Sequence, residues 1–454
     1  MAADVVGDHA IVIGASIAGL LAAGVLARHF RTVSVLEKDA LPGAPVARRG
    51  VPQGAHAHVL LQGGQDALET LFAGADLDLA AAGAVRTDAS LDTKWFQFGV
   101  WKKRFASGLL AHWCDRPRFE DWLRKRVTAL ANVRLMAEHR VSGLVAAGGG
   151  AEILGARVAA PGHDADELRA DLVLDASGST SRTPRWLEDL GYPRVREDQI
   201  RVDVGYASRV YRRPEHLSHD WTVLVIYPRP PESRRAGVLY PLDEERCLVT
   251  LIGWVGDHPP GHDAGFLDFA CSLPRDDLSA CLQGAAPLSP IRRHVFPASR
   301  WRHFERLPRW PERFLVLGDA VCAFNPVYGQ GMTVSALDAA ALARALQRPG
   351  GIRVSGFARQ LQRKLAGHRT TPWLLAATSD FRFPEVTGRR PYGLGLLNWY
   401  TQGVLELAGE NAQAHLRFIK VIGFRASPIA LFHPAVALSV LRWALGPRSA
   451  ARPA

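Results

Sequence analysis

His9-Ala-Ile-Val-Ile-Gly14-Ala15-Ser16-Ile17-Ala18-Gly19-Leu20-Leu-Ala-Ala-Gly-Val-Leu-Ala-Arg28 joins a short apolar run, a turn bounded by glycines and a stretch of helical composition. Val33-Ser-Val-Leu36 follows as a second apolar run and ends on Glu37. The pattern predicts strand, tight turn, helix and strand, the last capped by a carboxylate. Gly14 lets the chain turn off the first strand, and Gly19 lets the helix lie close to the sheet. The free N–H groups at the helix start suit a pyrophosphate. Glu37 lies 37 − 19 = 18 residues past the last glycine, close to the ~20 expected of an acid that accepts ribose hydroxyls. Ser16 stands where the middle glycine of the dinucleotide fingerprint is usual. It is small enough to keep the approach open.

The rest of the composition sets bounds. The chain has 454 residues, 48% of them hydrophobic and 22% charged. That excludes a disordered or fibrous chain and allows about three domains' worth of core. The mean hydropathy of −0.02 excludes a bundle of membrane spans. Met1–Gly7 lacks a charged leader, so no signal peptide is expected. Five widely spaced cysteines form no zinc or disulfide framework and suit a reducing, cytoplasmic setting. Lys and Arg exceed Asp and Glu by 55 − 44 = 11. These cations fall in scattered pairs such as Arg48-Arg49 and Arg389-Arg390. No basic stripe or nucleic-acid motif appears, so no nucleic-acid partner is expected.

Three further segments separate FAD from NAD. They are Arg48-Arg-Gly-Val-Pro-Gln-Gly-Ala-His-Ala-His58, Leu172-Val-Leu-Asp-Ala-Ser-Gly-Ser-Thr-Ser-Arg182 and Phe314-Leu-Val-Leu-Gly-Asp-Ala-Val-Cys-Ala-Phe-Asn-Pro-Val-Tyr-Gly-Gln-Gly-Met332. The last two are buried strands that empty into polar, glycine-containing turns. A cofactor gripped at three distant loops is long, and FAD lies extended from adenine to flavin ring.

These segments, with Asp115-Arg116 and Trp373-Leu-Leu-Ala-Ala-Thr-Ser-Asp-Phe-Arg-Phe-Pro384, resemble the flavoprotein monooxygenases related to para-hydroxybenzoate hydroxylase. Within them the chain is most similar to the actinobacterial flavin epoxidases of the polyether type. The resemblance implies an α/β fold: a discontinuous Rossmann-like FAD-binding domain, a mostly antiparallel β-sheet substrate domain and a helical C-terminal region. The expected bounds are 1–75, 112–190 and 300–365 for the first, 76–111 and 191–299 for the second, and 366–454 for the third.

The resemblance also implies roles. The turn Gly14, Ala15, Ser16, Ile17, Ala18 and Gly19 would face the pyrophosphate, and Glu37, followed by Lys38, would hold the adenosine ribose. Arg48 and Arg116 would reach the flavin or pyrophosphate. Val141, at the head of the apolar strand Val141–Ala146, would offer its backbone to the adenine. Gly318-Asp319 would serve a ribityl hydroxyl. Pro326 would lie over the reactive side of the ring. Gly329, Gln330, Gly331 and Met332 would present N–H groups to the pyrimidine edge, where a reduced flavin carries charge. The chemistry implied is a flavin hydroperoxide that epoxidises an alkene or hydroxylates a ring. It is centred on the flavin, with no catalytic side chain assigned.

One fingerprint leaves NAD(P)H as a transient reductant or a flavin reductase as partner. Other readings of the same fold are a prenyl reductase, a reduced-flavin isomerase or cyclase, and a flavin-binding protein without turnover. The WxWxIP segment typical of flavin halogenases is absent.

Four strands are expected over Arg201–Tyr211, Trp221–Tyr227, Gly237–Leu242 and Arg246–Trp254, flooring a pocket. Trp95, Phe96, Phe98 and Trp101 are candidates for its mouth. His56 and His58 alternate, so an extended segment would point both the same way. No third ligand joins them, so no metal is expected. After residue 366 the apolar helical runs are Trp373–Thr378, Tyr392–Leu407, His415–Phe424 and Ile429–Leu445. The last holds His433, Pro434 and Arg442, which argues against a spanning helix. The expected role of this tail is to pack on the domain or cover the pocket rather than to graze a membrane. An apolar tail beside the cofactor points to a lipophilic small-molecule substrate, with O2 as co-substrate.

Overall fold

The computed structural model describes residues 5–48, 50–213 and 220–445. Arg49, expected beside Arg48 in the basic pair, lies outside the described residues. So do the end of the C-terminal region, 446–454, and the segment 214–219.

A parallel sheet of five strands runs in the order Phe314–Val316, Leu172–Asp175, Gly7–Ile13, Phe30–Leu36 and Val133–Met136. Its central strands are near-continuous apolar runs because helices cover both faces of a parallel sheet. The helix Ile17–Leu26 is buried almost all round. It packs between this sheet and the helices Gln330–Leu346 and Arg116–Thr128. The turns that carry Gly14–Gly19, Glu37, Ala176–Arg182 and Gly318-Asp319 each leave the C-terminal end of one of these strands. This is the edge where open α/β sheets bind ligands.

The second large sheet orders Cys322–Ala323, Arg292–Arg302, Glu197–Arg212, Arg246–Gly253, Arg235–Pro241, Val223–Ile226, Thr93–Gln97 and Val100–Trp101, with Thr387–Gly388 paired to Glu197–Arg212. All its pairs are antiparallel except Val223–Ile226 with Thr93–Gln97. The four expected strands are present. Arg292–Arg302 escaped the sequence reading because its burial alternates and it carries many arginines. Both sheet faces are covered. Phe266, Phe269 and Leu278 of two short helices pack on one. Trp254, Phe381 and Phe383 pack on the other, under the C-terminal region.

That region begins within a long helix, Phe357–Asp380, which crosses residue 366 and contains Pro372. The buried pair Arg369–Asp338 ties it to Gln330–Leu346, and Asp338 also accepts from the Gly318 backbone N–H. The helices Leu394–Leu407 and Ala412–Ile422 follow. The expected single run Ile429–Leu445 is two elements, a 3-10 turn Pro428–Phe432 and a helix Pro434–Leu445. Pro434 cannot donate into a preceding helix and starts the new one instead. Among the described residues no helix is long and apolar enough to cross a membrane.

Candidate functional site

The glycine turn is built as its spacing requires. Gly14 has φ +101°, and a Cβ there would lie 2.6 Å from the Ala176 carbonyl oxygen. A Cβ on Gly19 would fall 1.8 Å from the Gly14 carbonyl oxygen. No residue but glycine lets the helix start this close to the strand. Ser16 is the N-cap of Ile17–Leu26 but caps no N–H with its side chain. The helix start, with Ile17 and Ala18 in its first turn, therefore keeps its positive end open.

Ser16 is instead part of a charged cluster. Its hydroxyl donates to Glu120 at 2.8 Å and accepts from Arg116 at 3.0 Å. Arg48 donates to Glu120 at 2.7 Å, to Glu37 at 3.2 Å and to the Ala15 carbonyl at 3.4 Å. Glu37 also accepts from the Ala15 backbone N–H. Burial works against the Arg48 charge, but Glu120 and Glu37 more than offset it and raise its pKa. Burial lowers the pKa of Arg116, against the pull of Glu120 and Asp319. Glu120 was missed in the sequence. The signal is its position four residues after Arg116 on one helix face. Lys38 stands apart from the cluster, about half exposed and paired with Asp39. Val141 is buried in the strand Arg140–Ala146 and pairs with Val158 just before a bulge. Asp175 is wholly buried and accepts from Ser177, Ser181 and Thr183, which makes it the support of its turn.

His58 extends the cluster. Its Nδ1 bonds the His56 carbonyl at 2.8 Å, and Arg116 lies 3.5 Å from its Nε2. Burial and Arg116 push His58 down to about 3, so it is neutral. His56 turns into the large sheet, where Nδ1 meets Ser208 at 2.8 Å, and burial pushes it down to about 4. The two rings thus take different partners, although alternation alone would aim them together. The backbone at His56 closes the 3-10 turn Pro52–Ala55, so the segment is not a regular strand there. Among the described residues no group of three or more His, Cys, Asp or Glu forms a metal site.

The last loop sits opposite. Gly318 has φ +60° and abuts Ala18 of the first helix. Asp319 accepts no hydrogen bond from the described residues. Burial raises its pKa while Arg116 and Arg369 lower it. Asn325 caps the 3-10 turn Pro326–Tyr328, and Gly329, at φ +64°, is the N-cap of Gln330–Leu346. Gly329 and Gly331 are glycines for different reasons. At Gly329 the left-handed φ and a Val59 methyl 2.7 Å from the would-be Cβ suffice. At Gly331 a Cβ would meet only Asp319, at 3.7 Å. Nothing in the described protein fills that space. Asp319 without a partner, open space over Gly331 and two helix N-termini without side-chain caps fit an elongated polar cofactor between them.

On the other side of this turn lies a cavity of about 250 Å³. Its walls come from the large sheet, the turn Val327–Gln330 and the helices after residue 372, which cover it. Trp95 and Phe98 line it, whereas Phe96 and Trp101 do not. Neighbouring strand residues face opposite sides, and Phe96 packs on Trp101 in the core beneath. Gln330 and Tyr328 reach it from the turn, and the buried Gln330 Oε1 has no partner. Met332 faces the other way, toward His58 and Arg116.

Behind this wall stands Asp380, from the Trp373–Pro384 segment. It accepts from Tyr328 at 2.7 Å and from Asn325 at 2.9 Å. Burial pushes its carboxyl up to about 7, against the opposing hydrogen bonds of Tyr328 and Asn325 and a nearby Trp254 indole. Its second oxygen has no hydrogen bond of good geometry.

Comparison with known proteins assigns the cleft. The model of the "FAD binding domain" family matches residues 8–349. The chain belongs to that family. FAD is therefore the cofactor. A Mycobacterium tuberculosis protein, Rv3254, is 34% identical over 84% of this chain and 81% of its own.

Solved structures share the fold of this FAD-binding protein at low identity. The flavin-dependent brominase Bmp2 aligns over 96% of this chain and 98% of its own, with TM-score 0.65 and 14% identity. PqsL from Pseudomonas aeruginosa, described as a probable FAD-dependent monooxygenase, covers 83% and 99% at TM-score 0.59 and 17% identity. 2-Methyl-3-hydroxypyridine-5-carboxylic acid oxygenase covers 92% and 97% at TM-score 0.59 and 18% identity.

Proposed function

We propose that the protein is an FAD-dependent monooxygenase that transfers one oxygen atom of O2 to a lipophilic substrate. The reaction we favour is epoxidation of an alkene of polyketide or terpenoid type in secondary metabolism. The observation that carries this reading is the covered, apolar cavity that shares the wall Val327–Gln330 with the FAD cleft. Bound FAD, once reduced, supplies the activation of dioxygen. The protein's share is positional. The turn 326–332 would hold bound FAD next to the cavity. The C-terminal helices keep water out, which protects a reactive oxygen donor from hydrolysis. An alkene offers no proton to remove, so the absence of an assigned acid or base is consistent with epoxidation.

The balance is alkene, O2, NAD(P)H and a proton giving epoxide, water and NAD(P)+. NAD(P)H acts directly or through a partner flavin reductase. The FAD-loaded protein, a reductase, NADPH and 18O2 are incubated with a panel of terpenoid alkenes. One 18O atom per product molecule is the expected result. A product heavier by two hydrogens, or an isomer of unchanged mass, would replace this reading with a reductase or an isomerase.

A further inference from the structure

Among the described residues that line the cavity, Arg382 alone carries a charge. It leaves the turn after Phe357–Asp380, half-buried, with its guanidinium 4.7 Å above the Phe98 ring. One terminal nitrogen, Nη2, donates to the Asn398 carbonyl at 2.7 Å and to the Thr401 hydroxyl at 2.9 Å. Both acceptors are neutral, and no carboxylate of the described residues pairs with Arg382. Its Nε and its other terminal nitrogen, Nη1, have no protein acceptor there. Burial lowers its pKa to about 10, so the cation persists at neutral pH. Elsewhere in this protein buried arginines are matched: Arg48 with Glu37 and Glu120, Arg369 with Asp338 and Arg124 with Asp121. A cation taken out of water without a counter-charge is costly unless an anion arrives. A guanidinium held only at Nη2 still offers N–H donors at Nη1 and Nε, and either can make a charge-assisted hydrogen bond to a carboxylate oxygen.

We infer that the substrate is an amphiphilic acid, an apolar unsaturated chain bearing a carboxylate, and that Arg382 receives the carboxylate. The inference rests on the cavity being the substrate chamber. Phe98 holds the guanidinium in place through its ring face. Asn398 and Thr401, on the covering helix Leu394–Leu407, hold it from the other side. Binding the acid head would then fix where along the chain a double bond meets the wall Tyr328–Gln330.

The test uses the FAD-loaded full chain and two probes, farnesoic acid and its methyl ester, titrated against tryptophan fluorescence. Trp95, Trp113 and Trp254 line the cavity and report its occupancy. The expected result is tighter binding of the acid than of the ester by at least about tenfold, as for a charge-assisted pair. Arg382→Met should reduce that ratio to about one while leaving ester affinity within about threefold. Arg382→Gln keeps a donor for the Asn398 carbonyl and should also lose the ratio. Arg382→Lys should keep part of it. A merely structural arginine would weaken both probes alike and leave the ratio unmoved. Equal binding of acid and ester by the wild type, or a ratio that survives Arg382→Met, overturns the inference. Ile422→Trp, which narrows the cavity, separates the two readings. If it abolishes equal binding of both probes, the chamber stands and only the carboxylate assignment falls. If binding ignores it, or neither probe binds, the chamber falls too.

Discussion

On one side of the turn 325–332 the chain gathers charge, and on the other it excludes it. The cofactor cleft packs Ser16, Glu37, Arg48, Arg116 and Glu120 into one network whose ions are close and mutually paired. The cavity is walled mostly by aromatic and aliphatic side chains, with a few neutral polar groups such as Gln62, Gln97 and Thr378 and one cation. The cleft must bind a charged, many-atom cofactor whose phosphates and ribose hydroxyls need fixed partners. The cavity, which we propose receives the substrate, is lined mostly by apolar side chains. The turn Val327–Gln330 contributes Val327, Tyr328 and Gln330 to the cavity wall.

The largest effect expected from breaking this contrast is at Gly19. Gly19→Val puts a Cβ 1.8 Å from the Gly14 carbonyl oxygen, and the helix must back away from the strand. A loss of at least about 3 kcal/mol of stability is expected, with FAD binding abolished. Thermal melts and flavin retention on a desalting column check it. A variant that melts normally and elutes yellow would show that the close approach is unnecessary.

Next comes Asp380, on the cavity side. Its carboxyl titrates at about 7 in the fold and near 3.9 in the unfolded chain. The folded state therefore holds the extra proton between those values. Stability from this group is present in full below about pH 4 and is lost as pH rises through 7. The change is on the order of a few kcal/mol. Asp380→Asn cannot ionise, so its stability relative to wild type should rise across that window and then level off. Urea melts at several pH values measure this. A constant difference would mean that Asp380 is charged throughout and that the cavity wall is wetter than its lining suggests.

Asp319→Ala should weaken FAD by roughly 1.5–3 kcal/mol, the range for hydrogen bonds to a charged group, or about ten- to a hundredfold. The apoprotein should melt as wild type, since no described residue hydrogen-bonds to the lost carboxylate. Fluorescence titration with FAD decides, and unchanged affinity would remove Asp319 from the cofactor site.

The smallest and most discriminating change is Gly331→Ala. Alanine in the first turn of Gln330–Leu346 gains up to about 1 kcal/mol of helix propensity, and the structure leaves room for its methyl. The apoprotein should therefore melt slightly higher while FAD binds more weakly. If affinity is kept, the space above Gly331 is not where the flavin lies.

Much of the cleft was legible because its determinants are local. Gly14, Gly19 and Glu37 lie in one strand–turn–helix–strand unit, where spacing alone sets geometry. Gly318-Asp319 likewise follows directly on its strand. Glu120 was harder to read, since an acid on a charged helix is ordinary until Arg48 arrives from 72 residues away. The cavity was legible only as a composition, an apolar tail and an aromatic cluster. Adjacent residues there part company: Trp95 lines the cavity and Phe96 is core.

By itself, then, the sequence determined the class of fold, the cofactor family and the order of the cofactor loops. Hydrophobic period, glycine sterics and residue spacing act over a few residues and survive without tertiary context. Only the tertiary structure decided that Gly329 is a backbone necessity while Gly331 is not. It alone placed Asp380 behind Tyr328 and left Arg382 unmatched among apolar walls. Those facts concern what each side chain meets across the fold, and burial, pairing and free space depend on neighbours contributed by distant segments.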